Sequence, residues 1–191
     1  MINATLLKNL KKDYFENESQ RRQIISASNN ILFLAKKVIF KLQRDELVTA
    51  KKQLKEIEIM LKNLEDRFGA LRLRKEGAYK AAAEEYMEGK IFLQAITAKE
   101  ITLVKNLDID YEAYLGGTCD MIGELVRYAT NQAASGKFKQ VAKIRSQADS
   151  IMAQLLDFDM TGYLRTKYDQ ARGHLRKLEQ MTYEIKLKTG K

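Results

Sequence analysis

A few acidic side chains in this chain of 191 residues stand in surroundings where carboxylates are costly. Ala81-Ala82-Ala83-Glu84-Glu85-Tyr86-Met87-Glu88-Gly89 leads into Ile91-Phe92-Leu93. A second segment reads Leu115-Gly116-Gly117-Thr118-Cys119-Asp120-Met121-Ile122-Gly123-Glu124-Leu125-Val126. Glu85 and Glu88 stand three apart, and Asp120 and Glu124 four apart, so each pair shares one face of a helix. A carboxylate among apolar neighbours must be paired, protonated or bound to a cation. If the two segments pack together, their oxygens converge on a site suited to a hard cation such as Mg²⁺ or Mn²⁺. Such an ion activates water and stabilises charge on a phosphoryl group, which is the chemistry of phosphodiester hydrolysis. Arg127, three residues beyond Glu124, falls on the same side and could pair with a carboxylate or contact phosphate. The plainer alternative is that these acids make ordinary salt bridges, with Glu84 and Glu85 facing solvent.

Other chemistries find little support. His174 is the only histidine, so a di-iron centre of the Glu-x-x-His kind is excluded, and the residue reads as a surface or packing side chain. Cys119 is the only cysteine, which excludes a disulfide framework and multi-cysteine metal sites. With no histidine near it in sequence, Cys119 reads as a small buried hydrophobe. Ser135-Gly136-Lys137 is a helix break rather than a phosphate loop.

The elements that must position the acidic pairs are helical throughout. The chain has no proline, which leaves long helices uninterrupted. Asn3 to about Arg44 reads as one long helix with Asn3 as its N-cap, and Ile24, Ile31, Leu34, Ala35, Val38 and Leu42 as its buried stripe. Further helices are predicted over about Asp45–Arg67, Ala70–Ala98, Tyr111–Ala134, Lys137–Leu156 and Tyr163–Lys188, with 99–110 irregular by pattern and open to either a short helix or an extended connector. Six or seven helices, short connections and no strand alternation predict an all-α antiparallel bundle. Glu85 and Glu88 then lie on the third helix, Asp120 and Glu124 on the fourth.

Charge is unevenly spread. The net charge is +9, from 34 basic and 25 acidic residues. Residues 1–80 hold 18 basic and 10 acidic side chains, residues 81–136 hold 4 and 9, and residues 137–191 hold 12 and 6. Basic flanks suggest a polyanionic partner, and the acidic centre suggests a cation there. The basic side chains that could hold a nucleic-acid backbone are Arg21, Arg22, Lys36, Lys37, Lys41, Arg44, Arg67, Arg72, Arg74 and Lys75. Arg72-Leu73-Arg74-Lys75 is the best placed, being read as part of the same helix as Glu85 and Glu88, with Tyr79 and Tyr86 nearby to stack on bases. Solvated helix faces are the competing reading of all of them. No signal peptide or membrane-spanning run is visible, so a cytoplasmic protein without a membrane partner is expected.

Tyr114-Leu115-x-Gly117-x-x-Asp120-x-x-Gly123-Glu124-Leu125-x-Arg127 resembles the signature of the translin family, in particular its factor X branch. Glu85-Tyr86-Met87-Glu88 falls where that branch has a Glu-aromatic-x-Glu pattern. Leu164-Arg165-x-Lys167-Tyr168-Asp169, with Leu178-Glu179 and Tyr183, is similar to the family's last helix. The resemblance covers nearly the whole chain and implies one translin-like domain over 1–191. It further implies about seven helices, a homo-octameric shell and binding of single-stranded RNA or DNA. For the factor X branch it implies Mg²⁺-dependent endoribonuclease activity inside the shell, with the acidic positions falling on Glu85, Glu88, Asp120 and Glu124. The chain is shorter than the eukaryotic factor and resembles a compact prokaryotic-type member that forms homo-octamers, which leaves open whether a separate translin-type partner is required.

Three functions are therefore to be weighed: a metal-dependent endoribonuclease, a non-catalytic single-stranded RNA- or DNA-binding shell of translin type, and a helical scaffold for another protein.

Overall fold

The computed structural model describes residues 2–189. Among them are seven helices: α1 (Ala4–Leu42), α2 (Leu47–Phe68), α3 (Ala70–Leu73), α4 (Gly77–Ile96), α5 (Tyr111–Ala134), α6 (Phe138–Leu156) and α7 (Gly162–Thr189). The described residues contain no strand. The expected all-α bundle is what the chain forms.

The packing order follows the apolar stripes. α1 lies between α2 and α4, α4 packs on α5, and α5 packs on both α6 and α7. Ile24, Ile31, Ala35, Val38 and Leu42 of α1 recur at the three- and four-residue steps of a helix face, and all are buried. They meet Ala82, Tyr86, Ile91 and Phe92 of α4 in one core that continues through Met121, Ile122 and Leu125 of α5. Phe92 and Tyr128 close it edge to face, their ring centroids 5.9 Å apart.

Local signals account for most boundaries. The Asn3 carboxamide caps α1 by accepting from the backbone N–H of Thr5 at 2.9 Å and of Leu6 at 3.2 Å. Asp110 caps α5 through the Ala113 N–H at 2.9 Å. Gly136, at φ +71°, ends the turn after α5 in the left-handed region that favours glycine. Residues 99–110 form an irregular connector, not a short helix.

One element departs from expectation. The continuous third helix expected over Ala70–Ala98 is broken after one turn, and α4 starts afresh at Gly77. Neither proline nor glycine lies at 74–76 to announce this break. It is fixed by distant contacts: Arg74 reaches Asp108 on the connector, donating to its carboxylate at 2.6 Å and its backbone carbonyl at 2.9 Å. Beside it, Glu76 is buried and pairs with Arg72 at 2.7 Å and with Arg21 at 3.4 Å.

No helix among the described residues is long and apolar enough to cross a membrane.

Candidate acidic site between α4, α5 and α7

The two acidic segments are neighbours because glycine lets them be. A Cβ on Gly117 of α5 would lie 2.8 Å from the backbone nitrogen of Glu88 and 2.9 Å from the carbonyl of Glu84. Both contacts are to backbone, so no rotamer change relieves them, and the α4–α5 approach requires glycine there. On Gly116 a Cβ would strike the Glu84 carboxylate. Gly123 gives α7 the same access: its missing Cβ would lie 3.3 Å from the His174 imidazole. His174, remote in sequence, thus packs one helical turn from Asp120.

Asp120 and Glu124 lie close enough to Glu85 and Glu88 to oppose the ionisation of those two. Glu88 is 9% exposed and makes no hydrogen bond or ion pair among the described residues. Burial, then the charges of Glu85, Asp120 and Glu124, push its carboxyl up to about 9. Glu85 is also raised, first by burial and then by Asp120 and Glu124, against a lowering by Lys36.

The remaining acids have partners. The Lys167 ammonium of α7 donates to Glu84 at 2.9 Å and to Asp120 in a short contact. The Tyr163 hydroxyl also donates to Glu84, at 2.7 Å. Burial opposes the charge on Lys167, but its hydrogen bonds to Asp120 and Glu84 outweigh this and hold it firmly protonated. Asp120 nonetheless stays above the ordinary carboxylate range, because burial and Glu84 exceed the pull of Lys167. Gln43 of α1 donates to the Glu124 carboxylate at 2.7 Å and to its carbonyl at 2.9 Å. Arg127 lies 3.8 Å from Glu124 with its side chain 56% exposed, in the pairing its spacing allowed.

The donor set is all oxygen and short of compensating charge at Glu85 and Glu88, which fits a hard divalent cation. Among the described residues, however, no three carboxylate, thiol or imidazole groups are drawn together as a finished ligand cage. Lys167 holds part of the space such a cage would use.

The basic candidates scatter. Arg72 and Arg74 do not continue the helix of Glu85, so the expectation of a shared helix fails; both are ion-paired, with Glu76 and Asp108 respectively. Lys75 is exposed beside them. Arg21 pairs with Glu76, while Arg22 is exposed on α1. Tyr79 and Tyr86 are buried and unavailable for stacking; the Tyr86 hydroxyl donates to Glu58 at 2.7 Å. Cys119 is buried, and burial followed by Asp120 pushes its thiol up to about 12, as suits an inert core residue.

Lys167, Tyr163, Gln43 and Glu84 escaped the residue-by-residue reading. One signal was present for Lys167: it keeps helical step with Leu164, Ala171 and Leu178 on the inward face of α7.

An all-helical bundle with a partly buried acidic cluster between α4 and α5 is the architecture that these residues define. The chain belongs to the Translin family, which it matches over residues 19–189. Among solved structures it is similar to the crystal structure of apo-NeC3PO, at 23% identity over 96% of this chain and 97% of that one, with a TM-score of 0.82. It is similar to the crystal structure of AfC3PO, at 22% identity over 95% and 97%, with a TM-score of 0.84. A structure of AfC3PO in complex with duplex RNA matches at 23% identity over 95% and 96%, with a TM-score of 0.83. No curated protein sequence matches the chain significantly.

Proposed function

We propose that this chain is a divalent-cation-dependent endoribonuclease acting on single-stranded RNA, working in the cytoplasm as one copy of an octameric shell. The observation that carries the reading is Glu88, a buried carboxylate with no hydrogen-bond or ion-pair partner among the described residues, in the field of Glu85, Asp120 and Glu124. Family membership and the fold shared with AfC3PO, a protein solved with duplex RNA, support RNA as the ligand class.

Glu85, Glu88, Asp120 and Glu124 would hold Mg²⁺ or Mn²⁺. A bound cation would supply charge neutralisation at the phosphodiester and a more acidic water. The chain's own groups do the rest. Gln43 fixes the Glu124 carboxylate, and Lys167 with Tyr163 fixes Glu84 and Asp120. Exposed Arg127, beside Glu124, is placed to contact a phosphate. Exposed apolar side chains on the first turns of α1, among them Leu6, Leu10, Tyr14 and Phe15, support assembly with further copies.

The test is cleavage of labelled single-stranded and duplex RNA with Mg²⁺ or Mn²⁺, with EDTA, and by the Glu88→Gln variant. Single-strand cleavage that is lost in EDTA and in the variant is expected. Equal cleavage by Glu88→Gln overturns the site.

The second reading, a non-catalytic RNA- or DNA-binding shell, is favoured by one observation: Lys167 already neutralises Asp120 and Glu84. It predicts salt-dependent binding of single strands with no cation-dependent product.

A further inference from the structure

Two aromatic side chains on the solvent side of α1 have no place in the core. Phe33 is 56% exposed and Phe40 is 48% exposed. Each has a cation over its ring: the Lys37 ammonium lies 4.3 Å from the Phe33 centroid, and the Arg44 guanidinium 4.3 Å from that of Phe40. Phe33, Lys37 and Phe40 stand four and three apart, which keeps them on one stripe of α1, and Arg44, in the turn just past the helix, folds back over Phe40. Seven residues separate the rings, about 10.5 Å along the axis at 1.5 Å per residue.

The stripe is electrostatically one-sided. From Phe33 to Arg44 the sequence holds Lys36, Lys37, Lys41 and Arg44 and no acidic residue. Among the described residues no salt bridge engages Lys36, Lys37 or Arg44, whereas Arg72 and Arg74 are both paired. This charge balance matches a polyanion, not an ordinary protein surface.

The stripe also borders the acidic site. Gln43, the C-cap of α1 three residues past Phe40, donates to the Glu124 carboxylate at 2.7 Å.

A cation lies over each ring, and about half of each side chain is exposed. Every nucleobase presents a flat face, and rings interleaved with cations are how proteins hold single strands without reading sequence. A duplex offers no unstacked base to such rings. We propose that Phe33, Lys37, Phe40 and Arg44 form a stacking track for the unpaired bases of a single-stranded RNA, leading the strand to the acidic site. The track rests on the RNA-binding reading above and adds to it a place on the molecule and a physical basis for the single-strand preference.

The test is fluorescence anisotropy of a labelled uridine oligonucleotide and of an RNA duplex, in EDTA, across a salt series, with assembly state followed by native mass spectrometry. The double variant Phe33→Leu/Phe40→Leu keeps apolar side chains at exposed positions and removes the rings. It is expected to weaken single-strand binding about tenfold or more while leaving the salt slope and duplex binding unchanged. Lys37→Gln/Arg44→Gln is expected to lower the single-strand salt slope by about 1.4, roughly 0.7 for each lost phosphate contact. If the unaltered chain binds and the leucine variant binds equally well, the track is wrong and the RNA reading stands. If the leucine variant changes the assembly state, the stripe is an interface between copies and the track is overturned. If the unaltered chain binds neither RNA, the RNA reading fails and the track with it.

Discussion

The Cβ that Gly117 lacks would lie 2.8 Å from the backbone nitrogen of Glu88. That one approach brings the acids of α4 into the field of those of α5. Gly117→Ala must push the helices apart or distort one of them, at a cost of about 3 kcal/mol. A fall in thermal midpoint, with loss of the proposed RNA cleavage, is the expected outcome. An alanine variant as stable as the parent would show that the two helices can separate freely.

The folded chain keeps a proton on Glu88 up to about pH 9, whereas the unfolded chain releases it near the ordinary value of 4.5. The stabilisation is therefore complete below 4.5 and is lost as pH rises from there to about 9. The slope from this group is at most about 1.4 kcal/mol per pH unit. In chelator, urea midpoints are expected to fall across that range. Glu88→Gln, which cannot ionise, is expected to flatten the fall and to be the more stable protein at pH about 8. Parallel profiles for the two proteins would contradict the burial and repulsion assigned to Glu88.

Lys167→Met strips Glu84 and Asp120 of their shared cation while leaving them largely covered by α7. A loss of about 3 kcal/mol is expected in chelator. Added Mn²⁺ is expected to recover more stability in the variant than in the parent, because the cation no longer competes with the ammonium. Equal Mn²⁺ shifts by thermal denaturation would show that Lys167 and the cation do not share a place.

Arg74 holds the connector through Asp108 and lies 3.8 Å from the α5 cap Asp110. Asp108 is exposed, so Arg74→Ala should cost less than about 1 kcal/mol in global stability. Faster proteolysis within 99–110, with an unchanged salt slope of RNA binding, is expected. A lowered slope would instead place Arg74 on phosphate.

Much of this molecule can be read from its residues. The bounds expected for α5, Tyr111–Ala134, are those observed, because Asp110 caps one end and Ser135-Gly136 stops the other. The nearness of Glu85 and Glu88 to Asp120 and Glu124 was likewise legible, from helical spacing and the glycines beside Asp120. The break before Gly77 was not, since its cause is a contact between Arg74 and a residue 34 positions away. Nor was the role of Lys167, whose partners Asp120 and Glu84 lie 47 and 83 positions away. Local pattern carries capping and periodicity; it does not carry which distant charge closes on which.

The first turns of α1 have a consequence for measurement. The helix runs 39 residues, and Ile24 is the first of them to be buried. Helix residues up to Asn17 are all exposed, so their amides are held by the helix alone, and a solitary helix of that length opens readily in water. In a dissociated chain they should trade deuterium within seconds, while those from Ile24 to Leu42 exchange only with global opening. Association with other copies through Leu6, Leu10, Tyr14 and Phe15 would slow the early set and leave the later one untouched. Hydrogen exchange along a single helix would thus give a fixed internal standard at one end and a gauge of assembly at the other.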